Sequence, residues 1–352
     1  MNADFSKKLL HWNKKKNKRK MPWKGETDPY KIWLSEIILQ QTRVEQGWAY
    51  YEKFVKTFPT VHHLAKAPTK KVFKLWEGLG YYNRCKNLIE TAKKISKDYK
   101  GKFPATYEAI KELKGIGPYT AAAISSFAFN LPHAVVDGNV ERVLSRYFGI
   151  NTPVDTTDGK KIYAELADAL LDKKSPGIYN QSIMDLGAVI CKPQNPLCTE
   201  CPQQSDCQAY QHNLVDMLPV KAKKLQKKER WFYYFIIEIN NSIYIHERKE
   251  KDIWQSLYEF ILLETKKEMK NEEIIRSDFI KNIFGKEKFT IDKISAAYKQ
   301  QLTHQTLHIQ FVHINISKQV LLKDHILIRK KDINKYPFPK SITAYLSQST
   351  IL

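Results

Sequence analysis

Between Pro29 and Ile190 apolar residues return every three to four positions, and turn-forming residues cut the stretch into pieces of roughly 10 to 20 residues. The segment PYKIWLSEIILQQTRVEQGWAYYEKFVKTF predicts one helix, broken once, and further helices are expected over 69–77, 84–98, 106–113, 119–129, 138–148, 158–171 and 177–190. This half of the chain is expected to be all-α. Near residue 215 the pattern changes. LPVKAKKLQKKER carries charge and almost no large apolar residue, as a linker does. Beyond it, WFYYFIIEI (231–239), SIYIH (242–246) and HQTLHIQFVHINI (304–316) are rich in β-branched and aromatic residues. In the last of these Leu307, Ile309 and Phe311 alternate before the pattern slips at Val312, which predicts a bulged strand. The expected division is a helical domain over 1–190, a cysteine loop over 191–212, a basic linker over 213–229 and an α+β domain over 230–352. No internal repeat is visible.

At 352 residues the chain exceeds one ordinary core, in keeping with two domains. Its net charge of +21 is well beyond what solubility needs and points to a polyanionic partner, most simply DNA or RNA. Basic runs lie at Lys14, Lys15, Lys16, Lys18, Arg19 and Lys20, and at Lys221, Lys223, Lys224, Lys227, Lys228 and Arg230; either alone reads more readily as a solvated tail than as a contact. Neither run sits on an obvious amphipathic helix, so an anionic membrane is the poorer choice. The first residues show no secretory pattern, and no stretch reaches the roughly 18 to 20 apolar residues of a membrane span. A cytoplasmic protein of bacterial type, associated with the nucleoid and monomeric, is expected, and its thiols should stay reduced.

Four of the five cysteines, Cys191, Cys198, Cys201 and Cys207, fall within 17 residues, separated by six, two and five. Thiolates so close in sequence converge on one centre without long-range folding, and Pro193, Pro196 and Pro202 stiffen the loop between them. A 4Fe-4S cluster or a structural zinc fits such a set. The single short arm, Cys198 to Cys201, favours the cluster, because structural zinc usually shows two. Two disulfides are the poorest reading. Cys85, far upstream, reads as a packed thiol.

In LKGIGPYTAAAIS, Gly115 and Gly117 flank Ile116 between two helical segments, and Pro118 opens the second, where its missing N–H costs nothing. Glycines there allow a tight turn and leave amides at a helix N-terminus free for an anion. This is a helix-hairpin-helix pattern, suited to a DNA phosphate and to a monovalent or calcium cation held by hairpin carbonyls. Its plainer reading is an ordinary αα-hairpin. Asp137, in VDGNVERVLSR, stands where an N-cap would.

Hairpin, VDGNVERVLSR and cysteine loop together resemble the endonuclease III superfamily of DNA glycosylases, which flip a nucleotide out of the duplex to cut its N-glycosidic bond. The bifunctional branch attacks the sugar with a lysine of the second hairpin helix. Tyr119 stands there instead, and Lys114 lies before the glycine turn. Pro22-Trp23, PYKIWLSEIILQQTRV and WEGLGYYNR extend the resemblance, from about Met21 to Cys207, to the MutY family, which removes adenine mispaired with 8-oxoguanine. The resemblance implies that Glu36 is the general acid on the purine and later the base for water. Asp137 would stabilise the oxocarbenium-like sugar, Tyr119 would bond near the sugar and Asn139 would orient Asp137 or water. Burial of Glu36 against apolar neighbours would keep it protonated near pH 7.

The resemblance also places Gln41, Thr42, Leu79 and Tyr81 on the lesion side of the DNA, with Tyr81 wedged into the stack, and Trp23, Gln181 and Arg19 in the adenine pocket. By itself Tyr81 reads as a core aromatic beside Trp76, Leu79 and Tyr82, and Arg19 as a phosphate contact. The second domain resembles the MutT (Nudix) fold through DIWQSLYEF (252–260), but lacks the G-x5-E-x7-RE metal box, so pyrophosphatase activity is not expected. The family's Phe-Ser-His lesion loop stands here as Leu302-Thr303-His304, with the Phe lost. The leading expectation is a monofunctional adenine glycosylase acting on double-stranded DNA with an A:8-oxoguanine or A:G mispair. The alternatives are a bifunctional glycosylase/lyase acting on oxidised pyrimidines and a cluster-bearing DNA-binding protein without catalysis.

Overall fold

The computed structural model describes residues 2–222 and 227–348; Lys223 and Lys224 of the second basic run lie outside the described residues. Two compact units emerge, one formed by Met1–Ala67 with Lys86–Lys224 and the other by Pro68–Cys85 with Leu225–Leu352. The stretch 68–85, which sequence order assigns to the helical half, thus belongs to the second unit.

The first unit is helical, with α1 (Asn2–Lys15), α2 (Pro29–Leu39), α3 (Val44–Thr57) and α4 (Val61–Lys66) preceding the segment taken by the second unit. α5 (Thr69–Trp76) lies in that segment, and α6 (Tyr82–Asp98) contains the division. Then come α7 (Tyr107–Lys111), α8 (Pro118–Phe129), α9 (Gly138–Phe148), α10 (Thr157–Leu170), α11 (Pro176–Val189) and α12 (Gln208–Gln211). The expected long helix breaks at Gln40–Arg43, where Gln41 takes a left-handed φ of 56°. α8 is the central pillar. Its Ala121, Ala122, Ala123, Ser125 and Ser126 are all buried, small enough for α2, α7 and α11 to pack against it. α11 packs in turn on α9 and α1. Helix α1 is an addition to the expected set, hidden in the sequence by the lysines that crowd its outer face. Phe5, Leu9 and Trp12 nevertheless form a helical stripe, buried against Tyr147, Tyr163 and Tyr179.

The second unit is built on an eight-stranded mixed sheet. β1 (Lys228–Ile239) and β7 (Gln305–Ile316) run parallel at its centre. β4 (Ile261–Thr265) and β2 (Ser242–Glu247) pair antiparallel with successive parts of β1, and β3 (Tyr258–Glu259) and β8 (Ile326–Arg329) pair with β2. β5 (Phe289–Ile294) and β6 (Tyr298–Gln301) pair antiparallel with β7. α13 (Asn271–Ile275) and α14 (Asp278–Phe284) cover one face, burying Ile274, Ile280 and Phe284 against Phe235, Ile237, Val312 and Ile314. On the other face Phe311 stacks on Tyr234, Tyr298 and Tyr345, the last from α15 (Lys340–Gln348).

β7 itself carries no bulge. Phe311 and Val312 are both buried because a central strand has cores on both faces, and the register shift lies in its neighbour β5, between Ile291 and Lys293. The α5 segment is tied to this unit by named contacts: Lys70 lies over the Tyr336 ring, the Glu77 carboxylate accepts the Phe338 amide (2.8 Å) and Lys74 donates to the Tyr336 carbonyl (3.1 Å).

Candidate active site

Pro29 at the first turn and Asp28, which accepts the Tyr30 amide at 2.9 Å, start α2. Eight of its eleven residues are buried, the polar Ser35 and Glu36 among them, while Lys31 stays partly exposed and pairs with Glu26. Glu36 is 7% exposed and stands on the wall of a cavity of about 490 Å³ in the first unit. Burial pushes its carboxyl up to about 7; a hydrogen bond from Tyr119 opposes the rise and the Asp137 charge adds to it. The Tyr119 hydroxyl, in the first turn of α8, also faces Met184 Sδ at 3.6 Å, and burial beside Glu36 raises it well above the ordinary phenol range. Three elements that are separate in sequence thus bring Glu36, Tyr119 and Asp137 together.

Asp137 caps α9. Its Oδ1 accepts the amides of Asn139 (2.9 Å) and Val140 (2.8 Å), and its Oδ2 accepts Asn139 Nδ2 (2.8 Å). Together these donors hold the carboxylate in a single orientation. Asn139 is held in turn, since its Oδ1 accepts from Arg142 Nη2 at 2.8 Å. The same guanidinium donates to the carbonyls of Gly187 (2.7 Å) and Cys191 (2.7 Å). Gly187 is required for that approach: a Cβ there would stand 2.7 Å from Asn139 Cβ.

Cys191, Cys198, Cys201 and Cys207 line one small cavity together with Arg146. Arg146 Nη1 lies 3.4 Å from Cys191 Sγ and donates to the carbonyl of Lys192 at 2.7 Å. Burial pushes the Cys201 thiol up to about 12 and raises Cys198 and Cys207 as well. Among the described residues, no three His, Cys, Asp or Glu side chains stand as a ready-made metal group.

Trp23 and Gln181 line the Glu36 cavity. Arg19 does not: its guanidinium is drawn to the fully buried carboxylate of Asp185 at 2.8 Å, a partner distant in sequence. Leu79 is 5% exposed, an apolar side chain buried in the second unit. Gly115 takes φ 79°, with Asn87 Cβ 2.7 Å from where its own Cβ would be, and Gly117 caps α8 with open space around it. Lys114 is exposed and paired with Glu90. Gln41 is exposed, and Thr42 donates to the Gln40 carbonyl at 3.4 Å. In the second unit Tyr81, 45% exposed and left-handed at φ 49°, bonds through its hydroxyl to Thr303. With His304 they line a cavity of about 560 Å³. Three carboxylates of this unit are held by arginines: Arg230 holds Asp252 and Glu264, and Arg248 holds Glu259. Sequence reasoning misses Asp185, Arg142 and Arg146, because their partners are remote and nothing local marks them.

Residues 34–169 match the family described as HhH-GPD superfamily base excision DNA repair protein, and residues 232–348 match the NUDIX domain. The adenine DNA glycosylase of Buchnera aphidicola subsp. Baizongia pistaciae is 35% identical over 319 residues, covering 89% of this chain and 87% of its own length. That of Buchnera aphidicola subsp. Schizaphis graminum is 36% identical over 318 residues (89% and 88%), and that of Rattus norvegicus is 42% identical over 216 residues (59% and 42%). Among solved structures, a thermostable thymine-DNA glycosylase superposes with a TM-score of 0.55 at 32% identity, covering 60% of this chain and 97% of its own. A trapped endonuclease III-DNA covalent intermediate superposes with a TM-score of 0.52 at 19% identity (61% and 99%), a likeness of fold alone. The architecture is a helical HhH-GPD domain followed by a Nudix-like domain with a mixed sheet.

Proposed function

The chain belongs to the adenine DNA glycosylase family, monofunctional base-excision repair hydrolases of the N-glycosyl bond, and from that premise we propose that it releases adenine paired with 8-oxoguanine or guanine in duplex DNA. One observation carries the reading: a buried carboxyl, pushed up to about 7, on the wall of a cavity and beside a second carboxylate. Adenine is a poor leaving group until protonated, and N7 is its accessible nitrogen. A flipped adenine in the cavity takes the Glu36 proton at N7 as the C1′–N9 bond breaks and its electrons pass to the purine. The sugar left behind is a cation. Asp137, held by two amides and Asn139, is preorganised to stabilise it. Glu36, now ionised, removes a proton from the water that attacks C1′, leaving an abasic site, with Tyr119 bonding near the sugar.

The two lysines nearest to a Schiff-base role are both engaged. Lys114 is occupied by Glu90, and Lys24, which lines the cavity, is tied to Asp185 and to the Arg19 carbonyl. The four cysteines would hold a 4Fe-4S cluster, which supplies a fixed loop rather than a step of the hydrolysis. Gly115 and Gly117 would present α8 amides to a phosphate, with a hairpin cation beside them. Gln41, Thr42, Tyr81, Thr303 and His304 would contact the DNA and the lesion. The test is single-turnover cleavage of duplexes bearing A:8-oxoguanine, A:G, T:G or thymine glycol, with and without borohydride. Adenine release without borohydride trapping is expected. Failure to release adenine from either adenine duplex, by protein with its full iron and sulfide content, overturns the proposal.

A further inference from the structure

Asp185 is a charged group that the hydrolysis does not use, and it is wholly buried in α11. Four donors close on its two oxygens. Oδ1 accepts from Arg19 Nη1 (2.8 Å) and Gln181 Nε2 (3.0 Å), and Oδ2 accepts from Lys24 Nζ (2.8 Å) and Asn17 Nδ2 (2.7 Å). The two cations offset the burial of the carboxylate. Gln181 is the member of this set that matters for recognition, because it lines the Glu36 cavity from one turn before Asp185 on the same helix.

A primary amide has two nearly isosteric ends, one donor and one acceptor, and a half-turn of the group exchanges them. A carboxylate can only accept. Facing Asp185, Gln181 must therefore present its nitrogen there, and the oxygen is the end left for the cavity. An acceptor in that place welcomes a 6-amino group and repels a 6-oxo group. We propose that Asp185 is a positioning residue that locks the Gln181 amide, so that the cavity selects a 6-aminopurine over a 6-oxopurine. The inference rests on the proposed reading of this cavity as the pocket for the flipped base. Arg19 and Lys24 then serve the pocket indirectly, by holding the Asp185 side chain in place.

The experiment compares release of adenine and of hypoxanthine, each opposite the same partner base, by wild type, Asp185→Asn, and the double variant Asp185→Asn with Gln181→Glu. Asparagine can donate as well as accept, so the Gln181 amide is freed to turn. The adenine-to-hypoxanthine ratio of kcat/KM should fall by about tenfold to a hundredfold, the scale of one mispaired buried polar contact. Glutamate at 181 accepts at both oxygens and should restore the ratio. A merely structural Asp185 would lower both rates together and leave the ratio unchanged, which overturns the inference. If Asp185→Asn does not fold, Gln181→Leu reads the same selectivity: collapse of the ratio is expected, and an unchanged ratio overturns it. Wild-type protein that releases neither base removes the pocket reading and the inference with it, whereas retained selectivity in active Asp185→Asn removes the inference alone.

Discussion

Replacing Glu36 with glutamine separates what burial costs the fold from what it provides for catalysis. The carboxyl rises from an ordinary 4.5 to about 7, and at about 1.4 kcal/mol per tenfold this amounts to about 3 kcal/mol. The sign follows from proton counting. Between the unfolded and folded values the native state holds the Glu36 proton and the unfolded chain has lost it, so stability declines as pH rises through this window and levels off above about 7. Below about 4.5 both states are protonated and the effect is absent. Glutamine removes the slope. The stability of Glu36→Gln relative to wild type should therefore be about 3 kcal/mol greater at pH 8 than at pH 4.5, read from urea unfolding at each pH. The difference between the two pH values cancels whatever the amide itself adds or loses. Adenine release should be abolished in the variant, while in wild type the single-turnover rate should decline above pH 7 as the acid is lost. A pH-independent stability gap, or an active glutamine variant, would refute the assignment of Glu36 as a buried neutral acid.

Asp137→Asn should keep the α9 cap, since asparagine caps as well as aspartate, and shift stability by under about 1 kcal/mol; single-turnover adenine release should nevertheless fall by at least about a hundredfold. Gly115→Ala should destabilise the hairpin by about 1 to 2 kcal/mol, because its φ of 79° and the Asn87 side chain 2.7 Å from the new Cβ both resist it, and fluorescence anisotropy should show weaker duplex binding with a shallower salt dependence. Cys201→Ala should reduce bound iron and sulfide in an elemental assay and expose residues 191–222 to limited proteolysis.

The chain announces its helices where the signals are local. α9 runs over the expected 138–148 because Asp137 caps one end and Gly149, at φ 66°, closes the other. Lysine-rich α1 is harder to read, although Phe5, Leu9 and Trp12 have the spacing of a helical stripe. The slip at Val312 is visible in the sequence but is no bulge, because alternation by itself does not say that a strand is buried on both faces. Motif resemblance points to Glu36, Tyr119 and Asp137 directly, since their expected roles attach to short recognisable strings.

Periodicity, caps and spacing within a few turns of chain were enough to mark the two architectures and the cysteine loop, while the family and the residues on which hydrolysis would turn came from motif resemblance. Folding added what no local pattern contains. Glu36 is buried deeply enough to hold its proton near neutrality, residues 68–85 join the second unit, and Arg19 leaves the pocket for Asp185, 166 residues away. Burial and ion pairing are properties of neighbours in space. The chain specifies those neighbours only through the whole of its packing.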